Sequence, residues 1–274
     1  IMRYSVQTII LMLLAVMLPS CFGSNRSAKD YLSEAETAYK EGNYQLAKLK
    51  IDSIKILFPK SFDEINSGFS LMQEVRMAEN KRNIQFCDSM LSENYKQLNE
   101  MLTMFDFIRD DRYQEFGEYY PKIYPHNASL NRNGLRSGVS EKGLLFIESI
   151  LSGTTIKHNQ IRAISIDNTF AETGVVTSDG LNYRFNTVDK SYEIVRYSGN
   201  DENGLAQFIY TNRDKPITVN FIGNRTITTT LPNDAKQGIS QSFELSNLLL
   251  SIEQLKLEKE KSEVLIRYLE SKKN

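Results

Sequence analysis

Tryptophan is absent from this sequence, and histidine and cysteine occur only twice each. A metal site built from several histidines is excluded, because His126 and His158 are the only two imidazoles. The two cysteines, Cys21 and Cys87, allow at most one disulfide, which excludes a disulfide-stabilised scaffold. We therefore expect a fold that depends on its hydrophobic core.

Neither sign of charge is in excess, since 33 Lys and Arg residues face 34 Asp and Glu residues. A balanced chain has no overall attraction to a phosphate backbone, so we predict no nucleic acid partner. The apolar run over residues 9–18 has 10 residues, whereas a membrane-spanning helix needs about 20. With 41% apolar residues and a length of 274, the chain is typical of one large or two smaller globular domains.

The motifs of common catalytic sites do not occur. The sequence has no His-Glu-x-x-His, no Gly-x-Ser-x-Gly, no phosphate-binding Gly-Lys-Ser/Thr loop and no Cys-x-x-Cys. Adjacent carboxylates such as Asp110 and Asp111 lie in polar segments that are typical of solvated turns. We predict a protein that is not an enzyme, with no catalytic residues, no metal ligands and no cofactor.

The N-terminal segment has the layout of a secretory signal. Arg3 precedes the apolar run, which leads into Leu18-Pro19-Ser20-Cys21. These four residues resemble the lipobox of bacterial lipoproteins, although an ordinary signal peptide followed by a structural cysteine stays an alternative. The resemblance implies cleavage before Cys21, a diacylglyceryl thioether on its sulfur and a third acyl chain on its amine. Several acyl chains would anchor the protein on a bilayer almost permanently.

The residues that follow Cys21 bear on localisation. They include neither an adjacent Asp, which retains lipoproteins at the inner membrane, nor an acidic cluster typical of surface export. By the same resemblance we expect an outer-membrane lipoprotein that faces the periplasm, and surface exposure stays open. If Cys21 carries lipid, Cys87 is either a buried thiol or a bridge to another chain.

Residues 28–60 indicate two helices, because small and apolar side chains recur at helical spacing on both sides of Gly42. The window resembles a single tetratricopeptide repeat in its aromatic, small, turn and terminating positions, which are Tyr31, Ala35, Gly42, Tyr44, Ala47 and Pro59. The resemblance implies a helical hairpin. The hairpin would either offer a groove to a partner, with Tyr31 and Tyr44 as candidate contacts, or cap the helix that follows.

Two further segments indicate long helices. Apolar residues recur every seven positions from Met77 to Phe105, and a second series at Cys87, Met101 and Ile108 has Asn94 as its polar interruption. Residues 241–272 contain no glycine or proline and repeat apolar residues at intervals of three and four. We predict that the two helices pair antiparallel as a coiled coil, either within one chain or between the chains of an oligomer.

Short alternating runs between residues 143 and 231 indicate an antiparallel β domain. Turn pairs such as Gly223-Asn224 separate several of them. Residues 155–158 and 205–211 are among the predicted strands. A small sandwich and a curved sheet both fit this pattern.

An aromatic cluster lies where the first long helix must stop, at Tyr113, Phe116, Tyr119, Tyr120 and Tyr124. Such a cluster could stack on a sugar or a peptide, or it could pack the helix against the β domain. Buried aromatic area alone would explain the cluster, which favours the packing role.

Together these patterns predict an α+β protein. The expected segments are a signal peptide (residues 1–20), a lipidated tether (21–29), a helical hairpin (30–60), a long helix (61–120), a connector (121–142), a β domain (143–232) and a C-terminal helix (241–274). The preferred function is a lipid-anchored envelope adaptor or assembly factor that acts through protein contacts. The alternatives are an adaptor-like subunit of a transport complex and a lipoprotein that binds glycans through the aromatic cluster.

Overall fold

A computed structural model describes residues 26–112, 114–124, 130, 132–177 and 182–272. The predicted α+β class is confirmed, because these residues form five α-helices and two antiparallel sheets. The chain divides into two compact units. The helical unit comprises the described part of Ile1–Asn83 and Ser262–Asn274, and the β unit comprises Ile84–Lys261. Residues 18–21, which resemble a lipobox, and Tyr113 lie outside the described residues.

The helical unit begins with an antiparallel pair, α1 (Ala28–Lys40) and α2 (Tyr44–Leu57). Ser27 caps α1 in a capping box with Asp30, and the Asn43 side chain accepts from the Leu46 N–H at the start of α2. Between the helices Gly42 has φ +73°, a left-handed conformation that a side chain would oppose. Local capping and turn chemistry thus place both helices where the sequence predicts them.

The third helix, α3 (Phe62–Leu102), completes the core of the helical unit. Gly68 permits its close approach, because a Cβ there would lie 3.3 Å from an Ile51 methyl group. The core combines small residues of the hairpin with larger residues of α2 and α3, namely Ala35, Ala38, Ala47, Ile51, Met72 and Val75. Small alanines allow the helices to pack closely.

The β unit contains both sheets. The first has six strands in the order β1-β2-β3-β4-β8-β7. Its strands are β1 (Phe105–Ile108), β2 (Glu118–Pro121), β3 (Gly134–Ser140), β4 (Leu145–Ser152), β7 (Asn182–Asn186) and β8 (Ser191–Ser198). The second has the order β10-β9-β5-β6, formed by β5 (Gln160–Ser165), β6 (Phe170–Glu172), β9 (Ile217–Ile222) and β10 (Thr226–Thr230).

One hydrophobic core lies between the two sheets. Leu135, Ile147 and Val195 of the first sheet share it with Ile161 and Phe221 of the second, and all five are fully buried. A 3-10 turn (Gly199–Asp201) and two helices, α4 (Leu205–Thr211) and α5 (Asn233–Ser271), complete the described elements of the chain. Alternate side chains of β5 and β9 are buried, which explains the period-two pattern of these strands, whereas β3 and β4 bury both faces.

Two predicted strands are wrong. Residues 205–211 form α4, because Leu205, Ala206 and Ile209 are buried at helical spacing and Gly204 begins the helix in a left-handed conformation. Residues 155–158 join no sheet. Their backbone donors bind the carboxylate of Glu193 instead of a neighbouring strand.

The long helix also ends earlier than its heptad pattern indicates. It stops at Leu102, where the Thr103 hydroxyl donates to the Glu100 carbonyl. Phe105 then lies in β1 and packs with Val139 and Leu245. Its seven-residue spacing from the helical positions therefore reflects burial in a sheet, because apolar periodicity alone does not distinguish the two.

Helices α3 and α5 run antiparallel to each other. In the β unit, Asn94 Nδ2 donates to Ser251 Oγ at 3.2 Å, and Lys259 Nζ lies 2.6 Å from Asp88 Oδ1. In the helical unit, the side-chain amide of Asn83 donates to the Ser262 hydroxyl, which is a further contact between α3 and α5.

None of the helices in the described ranges combines the length and the apolar character that a membrane-spanning segment needs.

We expect carbodiimide to join Asp88 to Lys259 within one chain, because the carboxylate and the ammonium are already in contact. Peptide mass spectrometry of the monomer band should find the α3–α5 cross-link, and Asp88→Asn should remove it. The Lys48–Glu79 pair of the helical unit, at 2.8 Å, provides a positive control. Mixed-isotope peptides from a ¹⁴N/¹⁵N sample would instead show pairing between chains.

Candidate functional site

The predicted aromatic cluster divides into buried and accessible members. Tyr120 is buried in edge contact with Phe146, with ring centroids 5.7 Å apart, and its hydroxyl donates to Glu118. Tyr124 is buried in the core. Burial raises the pKa of Tyr120 far above its ordinary value. These two rings therefore offer no face to a ligand.

The other described members of the cluster are accessible in part. Phe116 is exposed, and Lys142 Nζ lies 4.7 Å from its ring centroid. Tyr119 is partly buried against Phe107. Burial, with a smaller contribution from Glu141, raises the pKa of Tyr119. Only Phe116 and Tyr119 could therefore contact a ligand among the described cluster residues.

The two tyrosines predicted as contacts in the hairpin are partly exposed, and a basic side chain lies over each of their rings. Tyr31 packs against Phe58, and Lys50 Nζ lies 5.2 Å from its ring centroid. The guanidinium of Arg82 lies 4.3 Å from the ring centroid of Tyr44. Such cation–π contacts stabilise the hairpin and leave each ring only partly available to a partner.

A buried array that was not among the sequence predictions lies between the two sheets of the β unit. Ser149 Oγ is 2.7 Å from His158 Nε2, and His158 Nδ1 is 2.7 Å from Glu193 Oε2. Since the carboxylate accepts, Nδ1 of the ring donates to it, and with a single proton on the ring Nε2 accepts from the Ser149 hydroxyl. This Ser-His-Glu array has the order of groups found in the triads of serine hydrolases.

Glu193 is the best-satisfied member of the array. One oxygen accepts the backbone N–H groups of Ile156 and Lys157, and the other accepts the N–H and ring of His158. Burial acts to raise the pKa of Glu193, but these hydrogen bonds outweigh it and hold the pKa below its ordinary value. Lys157 adopts φ +52°, so the segment accepts backbone strain to reach this carboxylate.

The array is sealed from solvent. Ser149, His158 and Glu193 each have an exposed fraction of 0%. Ser149 shares the inner face of β4 with the core residues Ile147 and Leu151. A nucleophile must touch its substrate, and in this structure solvent does not reach the Ser149 oxygen. The arrangement thus ties β4 and β8 to the segment before β5 and has no open reaction centre.

The opposite face of the first sheet carries a row of paired charges. Arg136, Glu148 and Arg196 lie side by side on β3, β4 and β8, and Arg196 also binds Glu118 of β2 at 2.6 Å. Burial acts to raise the pKa of Glu148, but the two guanidinium groups outweigh it and lower the pKa. Removing one partner of such a buried pair costs about 3–5 kcal/mol.

The sequence does contain a weak signal for both features. Glu148 and Ser149 interrupt an apolar strand, and Glu193 does the same in β8. A buried polar residue must find a partner, so such interruptions predict polar contacts. Their partners come from other strands, which the sequence alone does not pair.

The chain matches no protein-family model, no curated protein and no solved structure to a significant degree. Within the described ranges, no group of three or more His, Cys, Asp or Glu side chains could hold a metal ion. The surfaces and cavities of this structure are therefore the features that can indicate its function.

We expect Glu193→Gln to lower the free energy of unfolding at pH 7 by about 3 kcal/mol, because the amide nitrogen would meet donors that need an acceptor. The lowered pKa of Glu193 means that its contribution is complete above about pH 4.3 and is lost as the pH falls further. Urea unfolding, followed by near-ultraviolet circular dichroism, should therefore show a smaller loss of stability below pH 4 in the variant.

Glu36→Gln, on the exposed face of α1, provides the matched control and should leave the midpoint unchanged at pH 7. An equal decrease in stability for Glu193→Gln and the wild-type chain on acidification would contradict the assigned role of Glu193. Glu148 should continue to contribute in both proteins, since its pKa is lowered as well.

Proposed function

We propose that this chain is a non-enzymatic, lipid-anchored protein of the bacterial outer membrane that acts as an adaptor through protein contacts. The lipobox at Leu18-Pro19-Ser20-Cys21 supports the anchor. The observation that carries the binding role is a groove in the helical unit with an apolar lining and strongly exposed apolar side chains on the two helices that form it. Soluble proteins rarely expose large contiguous apolar patches unless they bind something there.

Most of the exposed apolar side chains of the helical unit lie on α2 and at the start of α3, and two others lie on α5. Ile56 is 76% exposed, Phe62 is 69% exposed and Phe69 is 63% exposed. Leu49 and Leu57 of α2 are exposed as well. Leu49 and Ile56 lie seven residues apart, as do Phe62 and Phe69, so each pair falls on one face of its helix.

A groove of about 290 Å³ lies between α2 and α3, and the exposed Phe69 is one of the residues that line it. Ile51, Ile65, Phe69 and Met72 provide its apolar lining. Lys55, Arg76 and Asp52 also line it, which leaves one positive charge in excess. An amphipathic helix with an apolar ridge and acidic flanking residues would match both the lining and the charge, and we assign the groove to a partner of this kind.

Two finer features of the fold belong to the same proposal. The close packing of Ala35, Ala38 and Ala47 supports a tetratricopeptide-like hairpin, which would present the groove in the manner of a peptide-binding repeat. The antiparallel contacts of α3 and α5 support a coiled coil, in which the polar Asn94 would fix the register through Ser251.

Replacing two exposed apolar residues should weaken partner binding without unfolding the protein. We expect Ile56→Ser with Phe69→Ser to reduce recovery of an envelope partner by roughly tenfold or more, as for the loss of a binding hot spot. Purification of the lipidated protein from cross-linked membranes, with quantitative mass spectrometry, measures this recovery.

Val264→Ser with Tyr268→Ser is the matched control, because both residues are exposed on the same unit but lie on α5. Its recovery should equal that of the wild-type protein. Equal losses in both double variants would show that general surface hydrophobicity, rather than the groove, determines binding.

The anchor is tested separately. Cys21→Ala should shift the protein from the membrane pellet to the soluble fraction, because the thioether cannot form. Mass spectrometry of the wild-type N-terminal peptide should find an acylated Cys21. An unmodified thiol, with release of the wild-type protein by a salt wash, would refute lipid anchoring.

A further inference from the structure

The β unit contains a cavity of about 710 Å³ beside the N-terminal part of α5. This volume is within the range of small-molecule sites, about 300–1,000 Å³. Small-molecule sites are usually lined by apolar side chains with a few polar ones. Here every lining residue is polar, which indicates a ligand whose surface consists of hydrogen-bonding groups.

One face of α5 forms a wall of the cavity. Asn233, Gln237, Ser240 and Glu244 recur at intervals of three and four, so they fall on one face of the helix. Arg213 and Asp214, which follow α4, also line the cavity. Side chains from two separate segments of the chain therefore converge on one space.

Much of the hydrogen-bonding capacity in this cavity is unused. The Gln241 Oε1 atom is buried and has no hydrogen-bond partner among the described residues. Its Nε2 contacts only a weak acceptor, Met104 Sδ, at 3.7 Å. Turning the amide over would leave a buried donor unpaired instead. A buried polar atom without a partner is costly, so turning this side chain toward the cavity would let a ligand group or a water molecule satisfy it.

The innermost residues of the cavity are fixed. Lys236 is 6% exposed, and its Nζ donates to the Lys215 carbonyl at 2.8 Å. Ser240 is also buried, and its hydroxyl donates to the Lys236 carbonyl at 2.8 Å. A side chain that is already held by the protein pays little entropy on binding a ligand.

The charges of the lining cancel, since Arg213 and Lys236 face Asp214 and Glu244. A balanced lining does not select an anion or a cation. Gln237, Gln241 and Asn233 supply amides that both donate and accept, as the hydroxyl groups of a sugar do. We propose that this cavity binds a neutral saccharide of one or two rings, with the half-buried Gln241 as a contact. This site is separate from the aromatic cluster and does not depend on the proposed adaptor function.

The probes are maltose, cellobiose and N,N′-diacetylchitobiose, added to the ¹⁵N-labelled full chain up to 10 mM. We expect at least one sugar to shift the amide resonances of residues 233–244. Gln241→Leu should weaken its affinity at least tenfold, which is the loss of about one hydrogen bond. Gln237→Ala, at an exposed position, gives a second variant that should lose affinity without disturbing the core.

Gln254→Leu is the matched control, because it is an exposed glutamine further along α5 and outside the cavity lining. It should bind the sugar as the wild-type chain does. The proposal is overturned if none of the three sugars shifts these resonances, if both cavity variants bind as tightly as the wild-type chain, or if only inorganic phosphate or diglycine binds.

Discussion

The carboxylate of Glu193 is the interaction on which the interior of the β unit depends. The chain leaves the first sheet after β4 and enters the second at β5, and between them three backbone N–H groups have no strand to bind. Glu193 accepts all three and also holds the ring of His158, which reaches Ser149. The crossing is tight, because a Cβ at Gly223 would lie 2.4 Å from the Ile156 carbonyl oxygen. Both sheets can therefore share one core without leaving these three backbone donors unpaired.

Polar groups in this protein fall into two kinds with different consequences. The Ser-His-Glu array and the charges around Glu148 are buried and satisfied, so they specify how strands pair and give a ligand nothing to bind. The cavity beside α5 has the opposite character, because Gln241 keeps a buried oxygen without a partner among the described residues. A group of buried polar side chains with satisfied hydrogen bonds therefore does not by itself identify a binding site. The accessible surfaces, apolar on the helical unit and polar in the cavity, are where binding is expected.

The helices were the most predictable part of the fold, because their signals are local. Capping by Ser27 and Asn43 and the turn at Gly42 involve residues within a few positions of one another. Strand type was less predictable: residues 205–211 alternate well enough for a strand, yet they bury a helical face. The pairing of residues in the buried Ser-His-Glu array was not predictable. His158 and Glu193 are 35 residues apart, and neither gives a sign of the other in the sequence.

By itself, the sequence determined the α+β class, the positions of the first two helices and the residues that resemble a lipobox. These depend on composition, periodicity and short-range motifs, which can be read without knowing which segments meet. Only the tertiary structure decided that Ser149, His158 and Glu193 form one sealed array and that Gln241 borders a polar cavity. Such relations arise from strand order and from burial, and burial determines whether a hydrogen-bonding group is satisfied by the protein, by solvent or by a ligand.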